Sequence, residues 1–127
     1  MTAPIAQLGI VGVGLIGGSV AAAARQRGSA KRIVGVDLSA ANLESARTRG
    51  FLDETSDDIS ALADSDLVVV AVPPHAVIAV LSAVLANSHA IVTDTTSVKA
   101  FIAAAFAHHS ERGRLLLAHP MAGTADA

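Results

Sequence analysis

Short unbroken apolar runs alternate with longer alanine-rich or amphipathic stretches along this chain. Ile5 to Val11 is rich in β-branched residues and predicts a buried strand. Leu15 to Gln26 is alanine-rich and long enough for a helix, with Gly28 as its stop. Arg32 to Val36 predicts a second strand. Ala40 to Arg49 reads as an exposed helix, capped by Ser39 and terminated by Gly50. Phe51 to Ser60 is polar and acidic, a connection with one short strand or turn, and Ile59 to Ala63 fits one or two helical turns. Leu67 to Val72 reads LVVVAV. Continuous Val and Leu without alternation means burial on both faces, as in a parallel sheet. Pro73 and Pro74 end that run, and Pro74 suits the start of a helix over His75 to Leu85. Ala90 to Thr93 predicts a strand, Ser97 to His109 a helix, and Leu115 to Ala118 a last strand.

Strands alternating with helices require right-handed crossovers. The expected fold is therefore α/β: a doubly wound parallel sheet of the Rossmann type, one domain over residues 1–127. Ligands of such sheets sit at the carboxyl ends of the strands, near the switch in strand order. Polar residues just after strands are thus the ones to read for function.

The first strand runs into Gly12-Val13-Gly14-Leu15-Ile16-Gly17. A G-x-G-x-x-G pattern is weak alone, but here it follows a strand and opens a helix, the context a dinucleotide requires. Gly12 permits the tight turn, Gly14 lets a pyrophosphate approach the backbone, and Gly17 lets helix and strand pack closely. The phosphate charge would meet the free N–H groups of the helix N-terminus, including those of Leu15 and Ile16. Asp37 ends the second strand 37 − 17 = 20 residues after the third glycine. An acid there bonds the ribose 2′-hydroxyl, and its charge repels the 2′-phosphate of NADP. Leu38 and Ser39 follow without an Arg, so Gln7 to Asp37 reads as a βαβ unit for NAD. The competing reading makes Asp37 a turn residue only.

Composition removes other classes. With 52% hydrophobic and 16% charged residues the chain can build a core, and disorder is not expected. It contains no Cys, which excludes disulfides, thiolate metal sites and a cysteine nucleophile; no metal site is expected. A net charge of −2 and 2% aromatics give no basic stripe and no stacking platform for nucleic acid. No apolar run reaches the roughly 18 residues of a membrane span, and no basic leader precedes one, so a cytoplasmic location is expected. A P-loop motif is absent.

Later strand ends carry the remaining candidates. Val72 and Pro73 either line the cofactor's path or form a rigid strand exit. Asp94-Thr95-Thr96-Ser97-Val98-Lys99 is more informative. Ser97 stands where a helix should begin, and N-capping alone accounts for it. Lys99 would oppose the helix dipole by a few tenths to about 1 kcal/mol, offset by an anionic ligand or by Asp94 unless the cost is simply borne. His119-Pro120-Met121-Ala122-Gly123 follows the final strand. Pro120 biases His119 to an extended backbone at the ligand end of the sheet, where a neutral imidazole can act as a base or serve only structure. His108 and His109 suit a helix C-terminus at the surface.

GVGLIGGS over Gly12 to Ser19, DTTSVK over Asp94 to Lys99 and HPMAG over His119 to Gly123 together resemble the prephenate/arogenate dehydrogenase family. The first stretch is shared by many nicotinamide enzymes; the second and third, each after a strand, are much more specific. The resemblance implies NAD-dependent oxidative decarboxylation of prephenate to 4-hydroxyphenylpyruvate in tyrosine biosynthesis. It assigns His119 to the substrate hydroxyl and Ser97 to the neighbourhood of that histidine and the nicotinamide. Lys99 is carried only as part of the motif.

The likeness covers only the family's N-terminal domain. Family members continue into a helical domain that forms a homodimer and supplies substrate-binding residues, an arginine among them. On that comparison residues 1–127 are expected to be a fragment that holds NAD but turns over prephenate poorly, with an exposed apolar face where the second domain packs. Arogenate as substrate, another NAD-dependent dehydrogenase with a similar first domain, and a stand-alone NAD-binding module are the alternatives.

Overall fold

Six parallel strands follow the apolar runs, side by side in the order β3-β2-β1-β4-β5-β6. They are β1 (Ile5–Val11), β2 (Ala30–Val36), β3 (Glu54–Ser56), β4 (Leu67–Val70), β5 (Ile91–Asp94) and β6 (Leu115–Leu117). The computed structural model describes residues 4–97 and 99–118. Within them, α1 (Leu15–Arg27), α2 (Ala40–Thr48), α3 (Pro74–Asn87) and α4 (Lys99–Phe106) form the helical layers, with a 3-10 turn at Ile59–Leu62. Chain order runs outward from β1 in one direction and from β4 in the other, so the switch point lies between those two strands.

The unalternating LVVV run is explained by two cores. Val68 and Val70 pack with Val77, Leu81 and Val84 of α3 and with Ile102 and Phe106 of α4. Val69 packs on the other face with Ala21 and Ala24 of α1, Ala46 of α2 and Phe51. Each buried valine contributes about 1.5–3 kcal/mol relative to exposure, which holds β4 at the centre of the sheet. The alanine bias of α1 has a related cause. Its buried face is Gly17, Gly18, Ala21 and Ala24, small residues that let the helix lie close to the strands.

Caps follow the sequence reading closely. The Ser39 hydroxyl accepts the Asn42 N–H at 3.2 Å and starts α2. Gly28, in the left-handed conformation, ends α1. Pro74 occupies the first turn of α3, where its missing N–H costs nothing.

Several boundaries differ from the sequence expectation, and those of β4, β5 and α4 bear on the site. β4 stops at Val70 rather than Val72. The Ala71 N–H still bonds to the Val11 carbonyl at 2.7 Å, but Ala71 to Pro73 then turn away from the ladder. β5 runs one residue further than expected, so Asp94 sits inside the sheet between Val70 and Leu117. Helix α4 begins at Lys99 rather than Ser97 and ends at Phe106, three residues short of His109.

Some apolar surface stays open. Val92 and Leu115 are paired across β5 and β6 and buried beneath α3 and α4. Ile91 and Leu116 point to the opposite face by strand alternation and are 48% and 57% exposed.

Candidate functional site

The carboxyl ends of β1, β2, β4 and β5 enclose a cavity of about 690 Å³, the size range of cofactor pockets. Its floor is the turn between β1 and α1. Gly12 has φ +89°, and a side chain there would drive a Cβ to 2.4 Å from the Ala71 carbonyl oxygen. Only glycine suits that place. Gly17 faces back into the turn: a Cβ would stand 1.8 Å from the Gly12 carbonyl oxygen. Its role is therefore close packing of α1 on β1, and it does not line the cavity. Gly14 is the opposite case. A Cβ added there meets nothing within 4 Å, because the space in front of it is open.

That open cradle lies at the N-terminus of α1. No side chain caps the helix and no acidic residue occupies its first turn. Its positive end is thus presented to the cavity, a setting that favours a phosphate group. Leu15 and Ile16 line the same opening and are 89% and 48% exposed.

Asp37 stands at the cavity wall beyond β2. One carboxylate oxygen accepts the Ser39 N–H at 2.8 Å. The other accepts the Val13 N–H at 3.0 Å and the Asn42 side-chain amide at 3.2 Å. Asp37 is therefore both a turn residue and a cavity residue, and the two readings of the sequence are compatible. It ties the glycine turn to β2, which fixes the distance between the helix N-terminus and the carboxylate.

Val72 and Pro73 line the cavity from the β4 side, as does Ser97 from beyond β5. Ser97 is exposed and stands two residues before α4. Sequence reasoning passed over Thr95 and Thr96, which line the cavity beside it, and Asn42, which reaches it from α2. The signal was present: both threonines directly follow a strand.

Beneath this loop lies Asp94, fully buried. The Lys99 ammonium donates to Asp94 Oδ2 at 2.6 Å, and the Thr96 N–H donates to the same oxygen at 3.2 Å. A longer contact of 3.4 Å joins the Ala118 N–H to Asp94 Oδ1. The cation in the first turn of α4 is thus matched by Asp94. His119 lies outside the described residues.

Comparison with known proteins agrees with this geometry. Residues 20–127 match the family model described as prephenate dehydrogenase, nucleotide-binding domain. Prephenate dehydrogenase of Bacillus subtilis is 32% identical over 122 residues, which cover 91% of this chain and 32% of the relative. The crystal structure of Synechocystis arogenate dehydrogenase is 34% identical with TM-score 0.80, covering 94% of this chain and 42% of that one. Prephenate dehydrogenase from A. aeolicus, in complex with hydroxyphenyl propionate and NAD+, is 29% identical with TM-score 0.86, covering 98% and 44%. The chain therefore spans about a third of the B. subtilis relative and under half of the two solved structures. With the family model matched over most of its length, this chain belongs to the family of prephenate dehydrogenase nucleotide-binding domains.

Proposed function

We propose that this chain binds NAD in the cavity at the strand ends, as the cofactor domain of an enzyme that oxidatively decarboxylates prephenate to 4-hydroxyphenylpyruvate. The observation that carries the reading is the convergence of the glycine turn, Asp37 and Ser97 on one cavity. The open space before Gly14 and the uncapped helix end fit a pyrophosphate. Asp37 holds the adenine-side ribose through its 2′-hydroxyl, and its charge opposes the 2′-phosphate of NADP. Val72 and Pro73 bound the path across the switch point.

When bound, NAD supplies the acceptor for the hydride that leaves the ring carbon bearing the hydroxyl. His119 takes the proton of that hydroxyl as the carbon–oxygen bond gains carbonyl character. The bond to the ring carboxylate then breaks, carbon dioxide departs, and the bonding electrons complete the aromatic ring. Ser97 orients the histidine and the reacting end of the site. The substrate carboxylates and the dimer contact belong to a helical domain outside residues 1–127.

Arogenate is the second reading, favoured by the likeness to the Synechocystis enzyme. An assay of the full-length protein with NAD and each substrate, following NADH, tests both. Turnover of prephenate over arogenate supports the first reading, the reverse order supports the second, and no NADH from either overturns both. His119→Asn should leave NAD affinity intact and lower kcat by about 10²–10⁴-fold; unchanged turnover would remove the histidine from the mechanism.

A further inference from the structure

Asp94 is the only charged side chain buried in the interior among the described residues, and it does not line the cavity. Stability alone does not account for it. An ion pair taken out of water loses hydration, and apolar residues of similar volume often serve a core as well or better. What the carboxylate does that an apolar group cannot is accept hydrogen bonds from several segments at once. Its Oδ2 accepts the Lys99 ammonium at 2.6 Å, at the start of α4, and the Thr96 N–H at 3.2 Å, in the loop before that helix. Its Oδ1 accepts the Ala118 N–H at 3.4 Å, just past β6.

The two backbone donors have a shared property. Thr96 immediately precedes Ser97, which lines the cavity, and Ala118 immediately precedes His119 in the chain. One carboxylate therefore ties together the backbone just before each of the two residues assigned to the reacting end. The ladder alone does not do this, since Asp94 is its last rung on β5, paired with Val70 and Leu117. We propose that Asp94 is a positioning residue for the reaction: its two oxygens hold at a set separation the points from which Ser97 and His119 leave the sheet. Lys99 neutralises the carboxylate from the side away from Ala118. This rests on the roles given to Ser97 and His119 above and not on the choice of substrate.

The test uses the full-length protein, with NAD and whichever of prephenate and arogenate the wild type oxidises. Asp94→Asn keeps the shape but offers one acceptor oxygen in place of two, so one of the two backbone bonds is lost. It should lower kcat by about 10- to 100-fold, the scale of a small misplacement of reacting groups. NADH affinity should stay within about twofold, because the phosphate turn and Asp37 are untouched. Ile102→Val, which thins the buried face of α4 without touching the carboxylate, should keep kcat within about twofold. If Asp94→Asn does not fold, Asp94→Glu is read on the same scale, since it keeps the charge and displaces both oxygens by one methylene. An unchanged kcat, a parallel loss of NADH affinity, or an equal fall in kcat with Ile102→Val overturns the assignment. Wild-type turnover in His119→Asn removes one of the residues to be positioned and overturns it from that side. A wild-type protein that forms no NADH from either substrate overturns the proposed function together with it.

Discussion

Lys99 Nζ stands 2.6 Å from Oδ2 of Asp94, and the two partners are unequally buried: the lysine side chain is 27% exposed, the aspartate 0%. That asymmetry decides which substitution is worse. Lys99→Met strands a fully buried carboxylate and should cost about 3–5 kcal/mol in urea unfolding, the range for breaking a buried pair. Asp94→Asn strands a lysine that can still reach water, so it should cost less. The double variant should recover most of the larger loss, since replacing both charges removes the desolvation penalty along with the attraction. A double variant no better than Lys99→Met would mean that the pair is not the unit.

Asp37 separates two effects that one carboxylate combines. Its oxygens accept the N–H groups of Val13 and Ser39, and its charge faces the cavity. Asp37→Asn retains a carbonyl acceptor but loses the charge. A like charge about 4 Å away costs roughly 1–4 kcal/mol between water-like and surface dielectric values. The wild-type chain should therefore bind NADH at least tenfold more tightly than NADPH, and the variant should narrow that ratio. Competitive titration of both nucleotides checks it; an unaltered ratio would assign Asp37 to the turn alone.

Much of this site was legible because its signals are local. A strand, a tight turn and a helix start leave glycines at set spacing, and the acid after β2 falls at a set distance. Gly17 was read as part of the cofactor-binding fingerprint, there to let helix and strand pack closely; a Cβ on it would stand 1.8 Å from the Gly12 carbonyl oxygen, and it does not line the cavity. What stayed hidden depends on tertiary contacts. The sequence reading ended this strand at Thr93; only the flanking strands and Lys99 make Asp94 a buried ladder residue. Asn42 was invisible for a similar reason. Its reach to Asp37 depends on how α2 leaves its Ser39 cap.

Asp53 gives a pH dependence of known sign. Burial works to raise its pKa, but the Ile33 N–H bond, the Arg25 bond at 2.6 Å and the charges of Arg25 and Arg32 together hold it below the usual carboxylate value. A group with a depressed folded pKa contributes stability that is present above the unfolded value, near 3.8, and is lost as pH falls through the folded one. Asp53→Asn should lower stability at neutral pH and flatten the fall in urea midpoint below about pH 4. Parallel curves for variant and wild type on the acid side would show that Asp53 titrates alike in both states.

Gly14 and Gly17, three positions apart, should respond to alanine in opposite ways. At Gly17 a methyl group would sit 1.8 Å from a backbone oxygen, so either α1 or the turn must shift. Gly17→Ala should cost about 1–3 kcal/mol of stability, as overpacking does, and weaken nucleotide binding because the phosphate turn moves with it. At Gly14 the methyl group enters open space. Gly14→Ala meets no steric neighbour and should leave the apo protein about as stable as wild type. The same methyl group occupies the place where the pyrophosphate approaches the backbone, so NADH and ADP should both bind at least tenfold more weakly. Unfolding curves and nucleotide titrations on the two variants read this contrast directly. If Gly14→Ala binds both nucleotides normally, the phosphates lie elsewhere in the cavity and the glycine turn is a packing device alone.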